Sequence, residues 1–492
     1  MVGESGQRTD PAVNRHRNRA RQLIALVGLV AASGCVYFNA VYNANRLFRE
    51  GRSDIHNGRI ATGQASLHTS IQKAERVVAG NPNSRWADDA LRLIVRAQLM
   101  LEQWPEALAS AERLLEYAGS PADSAEVAGY MGLAEVNLDR PARADSLLGP
   151  AIEYAREPEF RARLLHARGR ARATLGRVEA ADADLLAASE LDPERLGPPL
   201  DRIRLLVAEG RADQAITAVR RFLQRDFRSF EEQRVMESIT YIAELDPGTT
   251  VEALSAVEGS GLDAANRASL LKLRGDLRVA SGEIDEAIAD YRIAASVAPD
   301  SPGAVAAELA VVRMEFDDLA TIADVYQVKA ALDHIYRSRA ARRDSELTSV
   351  RTLFERMVFW VESGNLGNLL AAEAARDRLG ALELARRLFL RYADEQPQSV
   401  WAPKALLAAV ALDALHSGPE PKWPGQPETA ELRRRLMESY PDSPYLGAVT
   451  GERVDGRFAY EELEDGLRRQ LQRLERLTDD RLRERSSSNR LP

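Results

Sequence analysis

Small side chains recur along the body of this chain at a nearly fixed period. Ala107, Ala144, Ala181 and Ala215 are separated by 37, 37 and 34 residues, and the 72 residues from Ala215 to Ala287 leave room for one further, degenerate unit. A fixed period of this length is typical of proteins that stack one supersecondary unit on the next. Apolar residues between the markers repeat with the helical period of 3.6. The sequence therefore predicts an all-α chain built from repeated helix pairs.

Two segments carry this pattern most clearly, LLHARGRARATLGRVEAADADLLAASELDPE from Leu164 and LLKLRGDLRVASGEIDEAIADYRIAASVAPDS from Leu270. Both resemble the tetratricopeptide repeat (TPR). The matching positions are Gly169, Gly176, Ala181, Ala188 and Pro193 in the first segment, and Gly275, Gly282, Ala287, Tyr291, Ala294 and Pro299 in the second. Small residues there let two antiparallel helices approach closely. The resemblance implies an α-solenoid, a right-handed superhelix of antiparallel helix pairs.

A second motif places a proline, a serine and an aromatic residue at alternate positions. It occurs in NPNSRWADDAL at 81–91, QPQSVWAPKAL at 396–406 and YPDSPYLGAV at 440–449. We interpret each copy as a helix exit, a turn capped by the serine, and a new helix opening at the aromatic residue. Together with CVYFNAVYNANRLFREG at 35–51, the motif resembles BamD-like TPR lipoproteins of the bacterial outer membrane, although the known ones are about half this length.

The N-terminus reads as an export signal. Basic residues of the segment 1–34 precede an apolar run from Leu23 to Val30, and small residues lead to Cys35, the only cysteine of the chain. This resembles the bacterial lipoprotein signal, which implies lipid attachment to Cys35 and a tether to the membrane. The alternative is an uncleaved membrane helix, but a spanning helix needs roughly 20 apolar residues and only sixteen are available up to Phe38. Either interpretation places the body outside the cytoplasm. Val36 after the cysteine favours, by resemblance, the outer membrane and the periplasm.

The sequence predicts five segments. They are a signal peptide at 1–34, a TPR-like solenoid at 35–302, an irregular helical segment at 303–366, further TPR-like helix pairs at 367–450, and an amphipathic helix with a polar tail at 451–492. Leucines spaced along the last segment predict a helix that caps the solenoid, because terminal repeats need a polar outer face. The alternative is a short coiled coil with a partner.

Charge and motifs exclude several functions. The precursor has 66 basic and 74 acidic residues, and removal of the segment 1–34 leaves a net charge of about −11. An acidic body argues against nucleic acid as a partner. No pair of its six histidines has metal-binding spacing, and no GxGxxG, GxxxxGK or GxSxG motif occurs. Ser70 and Lys73 form an SxxK without its companion motifs, which is more typical of a solvated helix face than of a nucleophile. We therefore expect no catalysis, no cofactor and no metal.

With these functions excluded, the sequence favours a surface that binds other molecules. In the TPR superhelix the first helix of each pair lines the concave face. The corresponding positions are Arg92, Arg96, His166, Arg170, Arg204 and Lys272. Such a basic stripe would suit an extended acidic segment or a C-terminal carboxylate, because arginine binds carboxylates with two parallel hydrogen bonds. The alternative is that these arginines only solvate helix faces, since the chain has 61 Arg and five Lys.

These observations predict a lipid-anchored scaffold that binds other envelope proteins, with outer-membrane protein assembly or secretion as possible settings. The alternative function is a helical receptor for a glycan, peptidoglycan or a small molecule. Its best residues are Trp360, Trp401 and Trp423.

Overall fold

The structure is a computed structural model that describes residues 40–80, 82–84, 86–415, 423–446 and 460–488. Every regular element in these ranges is a helix, and no strand occurs among them. The predicted signal segment 1–34 and Cys35 lie outside the described residues. The chain divides into unit 1, Met1–Ala253, and unit 2, Leu254–Pro492, so the division falls within the segment 35–302.

Unit 1 is a stack of antiparallel helix pairs. Its helices are α1 (40–56), α2 (Ile60–Gly80), α3 (Ala87–Met100), α4 (Trp104–Leu115), α5 (Pro121–Asn137), α6 (Pro141–Tyr154), α7 (Pro158–Thr174), α8 (Val178–Leu191), α9 (Gly197–Ala208), α10 (Ala212–Leu223), α11 (Ser229–Leu245) and α12 (Pro247–Ala253). The odd-numbered helices are the first members of the pairs.

Unit 2 begins with a 3₁₀ turn, Leu254–Gly259, and also consists of packed helices. Its helices are α13 (Ala264–Ser281), α14 (Ile284–Val297), α15 (Pro302–Met314), α16 (Ile322–Ile335), α17 (Ser345–Ser363), α18 (Leu366–Ala374), α19 (Leu382–Glu395), α20 (Ala402–Ala411), α21 (Thr429–Ser439) and α22 (Glu461–Ser488). The fold is all-α and TPR-like, as the sequence predicts.

The period in the sequence marks the second helices of the pairs. The marker alanines at 107, 144, 181, 215 and 287 lie on α4, α6, α8, α10 and α14, and all are buried. Prolines 105 and 141 occupy the first turns of α4 and α6, where no backbone N–H is needed. The marker positions are thus the points where each second helix meets its partner.

Two glycines of the strong repeats permit close contact within a pair. A Cβ atom built on Gly169 would lie 2.8 Å from Cγ of Leu185, and one built on Gly275 would lie 2.5 Å from the ring of Tyr291. Real Cβ atoms do not approach neighbours so closely. By contrast, a Cβ atom on Gly149 of α6 would meet nothing within 4 Å. The first two glycines are therefore required by packing.

An ion pair between an arginine and a buried aspartate accompanies each of these glycines. Arg168 donates to both carboxylate oxygens of Asp184, at 2.8 and 2.7 Å. Arg274 donates to both oxygens of Asp290 at the equivalent place, with Nε to Oδ2 at 2.8 Å. In both repeats a second arginine, four residues further on, donates to the same aspartate. These pairs join the two helices of a repeat, and the sequence prediction missed them although both copies share the residues.

The first helix pair of unit 1, α1 and α2, packs closely through two glycines. Its end also contacts helices that are far away in the sequence. Backbone oxygens of Gly51 and Gly63 lie within 3 Å of where the other residue's Cβ would stand, so α1 and α2 touch through their backbones. At the end of this pair, Arg52 forms an ion pair of 3.0 Å with Glu159 at the start of α7. Arg228, just before α11, donates to the carbonyl of His56 at 2.9 Å. Helix α1 therefore borders the surface formed by the first helices.

The C-terminal helix packs within unit 2. Leu467 and Leu471 of α22 are buried, and the indole N–H of Trp360 on α17 donates to Oγ1 of Thr478 at 2.9 Å. Lys404 on α20 contributes an ion pair of 2.8 Å to Glu464. Part of the apolar stripe of α22 is thus buried against its own unit, as expected for a capping helix, whereas Leu477 is exposed.

None of the described helices combines the length and the apolar character needed to cross a membrane.

Candidate interaction surface on the first helices of unit 1

One face of each first helix in unit 1 carries polar side chains that contact the next first helix. The spacings of three or four residues place the members of each helix on one face. The row consists of Arg92 and Arg96 on α3, Glu126, Tyr130 and Asn137 on α5, Arg163, His166 and Arg170 on α7, Asp201 and Arg204 on α9, and Ser238 and Tyr241 on α11. We call these residues the polar row. Five of the six predicted site residues belong to it.

At its beginning, the polar row borders a cleft between α1 and α3. Arg92 donates to Glu126 of α5 at 3.1 Å, and the guanidinium of Arg96 lies 4.9 Å from the ring centre of Phe48. Burial would lower the pKa of Arg92, but Glu126 raises it overall. Both arginines line a cleft of about 290 Å³ with Tyr42 of α1. Arg92 is thus already paired, whereas Arg96 rests on an aromatic ring.

In the middle of the row, Asp201 contacts polar groups of both α7 and α9. His166 Nε2 lies 2.7 Å from Oδ2 of Asp201, and Arg170 Nη1 donates to Asn137 at 3.2 Å. Burial lowers the pKa of His166, with Arg195 and Arg170 acting in the same direction, while the hydrogen bond to Asp201 and the charge of that carboxylate oppose them. The imidazole therefore loses its proton more readily than that of a free histidine.

Asp201 also binds the next predicted residue. Arg204 Nη1 lies 3.3 Å from Oδ1 of Asp201, and its Nη2 donates to Ser238 of α11 at 3.2 Å. Burial alone would raise the pKa of Asp201, but His166, Arg170 and Arg204 lower it. The carboxylate therefore stays ionised and bridges two helices. The guanidinium of Arg204 also lies 5.6 Å from the ring centre of Tyr241.

Lys272, the sixth predicted residue, lies on α13 in unit 2. Its ammonium group forms an ion pair of 2.6 Å with Asp276 one turn further on the same helix. The phenol of Tyr291 donates to the other oxygen of Asp276 at 2.8 Å. Lys272 therefore does not join the polar row, which belongs to unit 1.

The surface differs from a bare basic stripe because carboxylates alternate with the cations. Sequence reasoning selected the arginines and missed Glu126 and Asp201, which pair with them. A signal was present, since Arg92 and Glu126 are separated by 34 residues, His166 and Asp201 by 35. A partner one repeat period away is the neighbour on the next first helix. Whether the six predicted residues bind a partner stays a prediction.

Sequence reasoning also missed Arg163, which shares a face of α7 with His166 and Arg170. It is partly buried, and no carboxylate in the described parts of the chain forms an ion pair with it. Burial lowers its pKa to about 10, and Arg195, Arg96 and Arg52 act in the same direction. The phenol of Tyr130 opposes them. Arg163 is therefore a cation held among other cations.

The tryptophans proposed for a glycan site serve the interior instead. Trp360 and Trp423 are buried, and their indole N–H groups donate to Thr478 and Asp413. Trp401 is half-buried at the N-terminus of α20, in the turn whose Ser399 accepts a hydrogen bond from its backbone N–H. Trp360 and Trp423 therefore belong to the core of unit 2, and Trp401 packs against it. Among the described residues, no group of three or more His, Cys, Asp or Glu could hold a metal ion.

No family model matches the chain, and no curated protein matches it. Solved structures with a similar arrangement include a tetratricopeptide repeat protein from Parabacteroides merdae, with 16% identity and a TM-score of 0.31 over 52% of this chain and 93% of that one. A thermophilic TPR protein of Thermus thermophilus has 20% identity and a TM-score of 0.28 over 44% and 99%. A Rap protein complexed with Competence and Sporulation Factor has 11% identity and a TM-score of 0.30 over 82% and 99%. Scores this low carry no argument for a family or a function, so the assignment of the fold rests on the helix pairs themselves.

Proposed function

We propose that this chain is a lipid-anchored TPR-like scaffold that binds other proteins of a bacterial cell envelope, with Cys35 as the lipid attachment site and the polar row as the binding surface. The setting that the sequence favours is the periplasmic side of the outer membrane, in protein assembly or secretion. The scaffold performs no reaction in this proposal.

The polar row is the observation that supports the proposal. It runs from α3 to α11 and presents both charges together with the exposed amide of Asn137, which accepts a hydrogen bond from Arg170. An extended protein segment needs such groups at repeated intervals along its length, because its backbone and side chains present donors and acceptors at regular spacing. Of the three tryptophans proposed for a glycan site, Trp360 and Trp423 are instead buried in unit 2.

Partner capture tests this function. The full chain, cross-linked in a detergent-solubilised envelope, is expected to retain a protein partner in stoichiometric amount. Reversing Arg96 and Arg170 to glutamate should weaken capture by roughly tenfold, equivalent to about 1.4 kcal/mol. The reason is that neither cation has a short carboxylate contact among the described residues: Arg170 Nε lies 3.9 Å from Oδ2 of Asp201, and Arg96 lies over the ring of Phe48.

The matched control carries the same change of charge elsewhere. Arg113→Glu with Arg161→Glu alters two exposed arginines outside the polar row, and it should leave capture unchanged. Equal loss in both double variants would show that net charge, not the row, governs binding. Retention by purified peptidoglycan with no protein partner would replace the scaffold by the receptor.

Lipid attachment has its own test. The Cys35→Ser variant is expected to incorporate no labelled palmitate and to leave the membrane fraction, because no other cysteine of the chain can take the thioether-linked lipid. Growth with labelled palmitate, followed by gel autoradiography of the purified protein, measures this directly. Equal labelling of the variant and the parent would refute Cys35 as the site.

A further inference from the structure

We infer that the cleft between α1 and α3 holds an aromatic side chain of a partner protein, with an acidic residue of the same segment beside Arg96. We call this space the α1–α3 cleft. The inference rests on the proposed function, because it names the kind of protein segment that the beginning of the polar row would bind.

The α1–α3 cleft has room for one large side chain. Its volume is about 290 Å³, at the lower limit of the roughly 300 to 1,000 Å³ that pockets for small molecules have. One face of each helix lines it, because the contributing positions are spaced by three or four residues. These positions include Tyr42 and Asn45 on α1, Trp86 at the N-terminus of α3, and Asp89, Leu93 and Arg96 along α3. A single anchor side chain of an extended segment fits this size.

Two aromatic rings form walls of the cleft. Tyr42 is 60% exposed and Trp86 is half-buried, so both rings keep surface that a partner could cover. Leu93, which also lines the cleft, is buried. A partner ring would gain from the burial of this surface and also from contact between rings, which an aliphatic side chain could not make. The walls therefore favour an aromatic anchor.

The charged groups at the rim differ from one end of the cleft to the other. Asp89 and its neighbour Asp88 lie at the beginning of α3, and Arg92 forms ion pairs with both of them and with Glu126. Arg96 lies two turns beyond Asp89, about 10 Å along the helix axis. Arg96 forms no ion pair with a carboxylate of the described residues, and its guanidinium lies over an aromatic ring of α1 instead. A partner carboxylate would therefore be attracted at Arg96 and repelled at Asp89.

A protein segment uses both the aromatic walls and the charged rim. Phosphate or another small anion would contact Arg96 and leave the walls uncovered. A lipid chain would cover the walls but would place apolar atoms against Asp89 and Arg96 and remove both from water. In an extended segment, residues two positions apart lie on the same side of the chain, about 7 Å from each other. An aromatic residue and an acid with this spacing would reach the cleft and Arg96 together.

Fluorescence anisotropy with two fluorescein-labelled octapeptides tests the inference on the full chain in detergent. The peptides are Gly-Ser-Gly-Trp-Ser-Glu-Gly-Ser and Gly-Ser-Glu-Ser-Trp-Gly-Ser-Gly, which present the two side chains in either direction, and at least one of them is expected to bind. Tyr42→Ala should weaken that binding by roughly tenfold, because truncation of an aromatic residue at the centre of an interface commonly has an effect of this size. Tyr154→Ala, which removes a ring that is 50% exposed on α6, should leave the binding unchanged. Peptides with alanine in place of tryptophan should not bind.

Arg96→Gln provides a second readout. It should weaken binding of the peptide that contains glutamate by roughly tenfold, because a hydrogen bond between charged groups is lost. It should not change binding of the matching peptide that contains glutamine in place of glutamate. A purely structural role for Arg96 would affect both peptides alike and would contradict the acid site. Because two variants probe the cleft, the test still decides the question if one of them fails to fold.

Three outcomes would overturn the inference. Parent-like binding to Tyr42→Ala would place the peptide outside the α1–α3 cleft. Displacement by indoleacetate that is as strong as displacement by unlabelled peptide would indicate a site for small aromatic acids. If neither peptide binds while the full chain still captures an envelope protein through Arg96 and Arg170, the aromatic anchor is wrong and the scaffold stands.

Discussion

Replacing Asp290 by asparagine is expected to lower the free energy of unfolding by about 3 to 5 kcal/mol, the usual cost of breaking a buried ion pair by removing one member. Asp290 is 1% exposed and Arg274 is 5% exposed, so water cannot replace the lost charge. Arg274 would keep its hydrogen bond of 3.0 Å to the carbonyl of Leu254, but it would lose its two short hydrogen bonds to a carboxylate and retain only the more distant, exposed Glu258, at 3.8 Å. Urea unfolding followed by far-ultraviolet circular dichroism measures the change.

Two further variants make this result specific. Asp300→Asn removes an exposed acid from the turn before α15 and should change the unfolding free energy by no more than about 0.5 kcal/mol. Removing both charges, with Arg274→Met and Asp290→Leu together, should recover much of the loss, because apolar residues of similar size often replace a buried pair without cost. A parent-like midpoint for Asp290→Asn alone would show that the pair contributes little.

The helix pairs could be predicted from the sequence because their packing is encoded locally. Ala181 and Gly169 must be small for two adjacent helices to touch, and any stack of such pairs repeats the requirement at the same interval. The same logic extends to contacts between neighbouring repeats. Arg92 finds Glu126 34 residues further on, close to one period. A contact can therefore be predicted from the sequence wherever it joins two helices of one repeat or of neighbouring repeats.

Contacts outside the repeat order could not be predicted. Arg52 meets Glu159 over 107 residues, and Arg228 meets His56 over 172 residues, because α1 borders several first helices at once. No spacing in the sequence links these positions. Arg163 was missed for the same reason, since its character depends on arginines that three other parts of unit 1 bring near it. An arginine in a chain with 61 of them carries no signal until its surroundings are known.

Shortening Trp360 to alanine is expected to lower the free energy of unfolding by about 3 to 5 kcal/mol, the usual cost of removing a buried aromatic side chain. Trp360 is 3% exposed on α17, and its indole N–H donates to the fully buried Thr478. The variant therefore opens a cavity and also leaves the Thr478 hydroxyl without this donor, at the junction between α17 and α22. Loss of α22 from the junction should make the C-terminal end more sensitive to limited proteolysis.

Trp360→Phe keeps a six-membered aromatic ring in the core but removes the N–H together with the smaller ring of the indole. The lost hydrogen bond should cost about 1 kcal/mol, and with the smaller cavity the total should stay below the effect of alanine. The same pair of variants decides whether this residue belongs to a glycan site. If Trp360 serves the core, both variants should bind purified peptidoglycan as the parent does under conditions where they remain folded. Parent-like stability of Trp360→Ala together with lost peptidoglycan binding would instead assign the ring to a ligand, and the receptor would then be preferred over the scaffold.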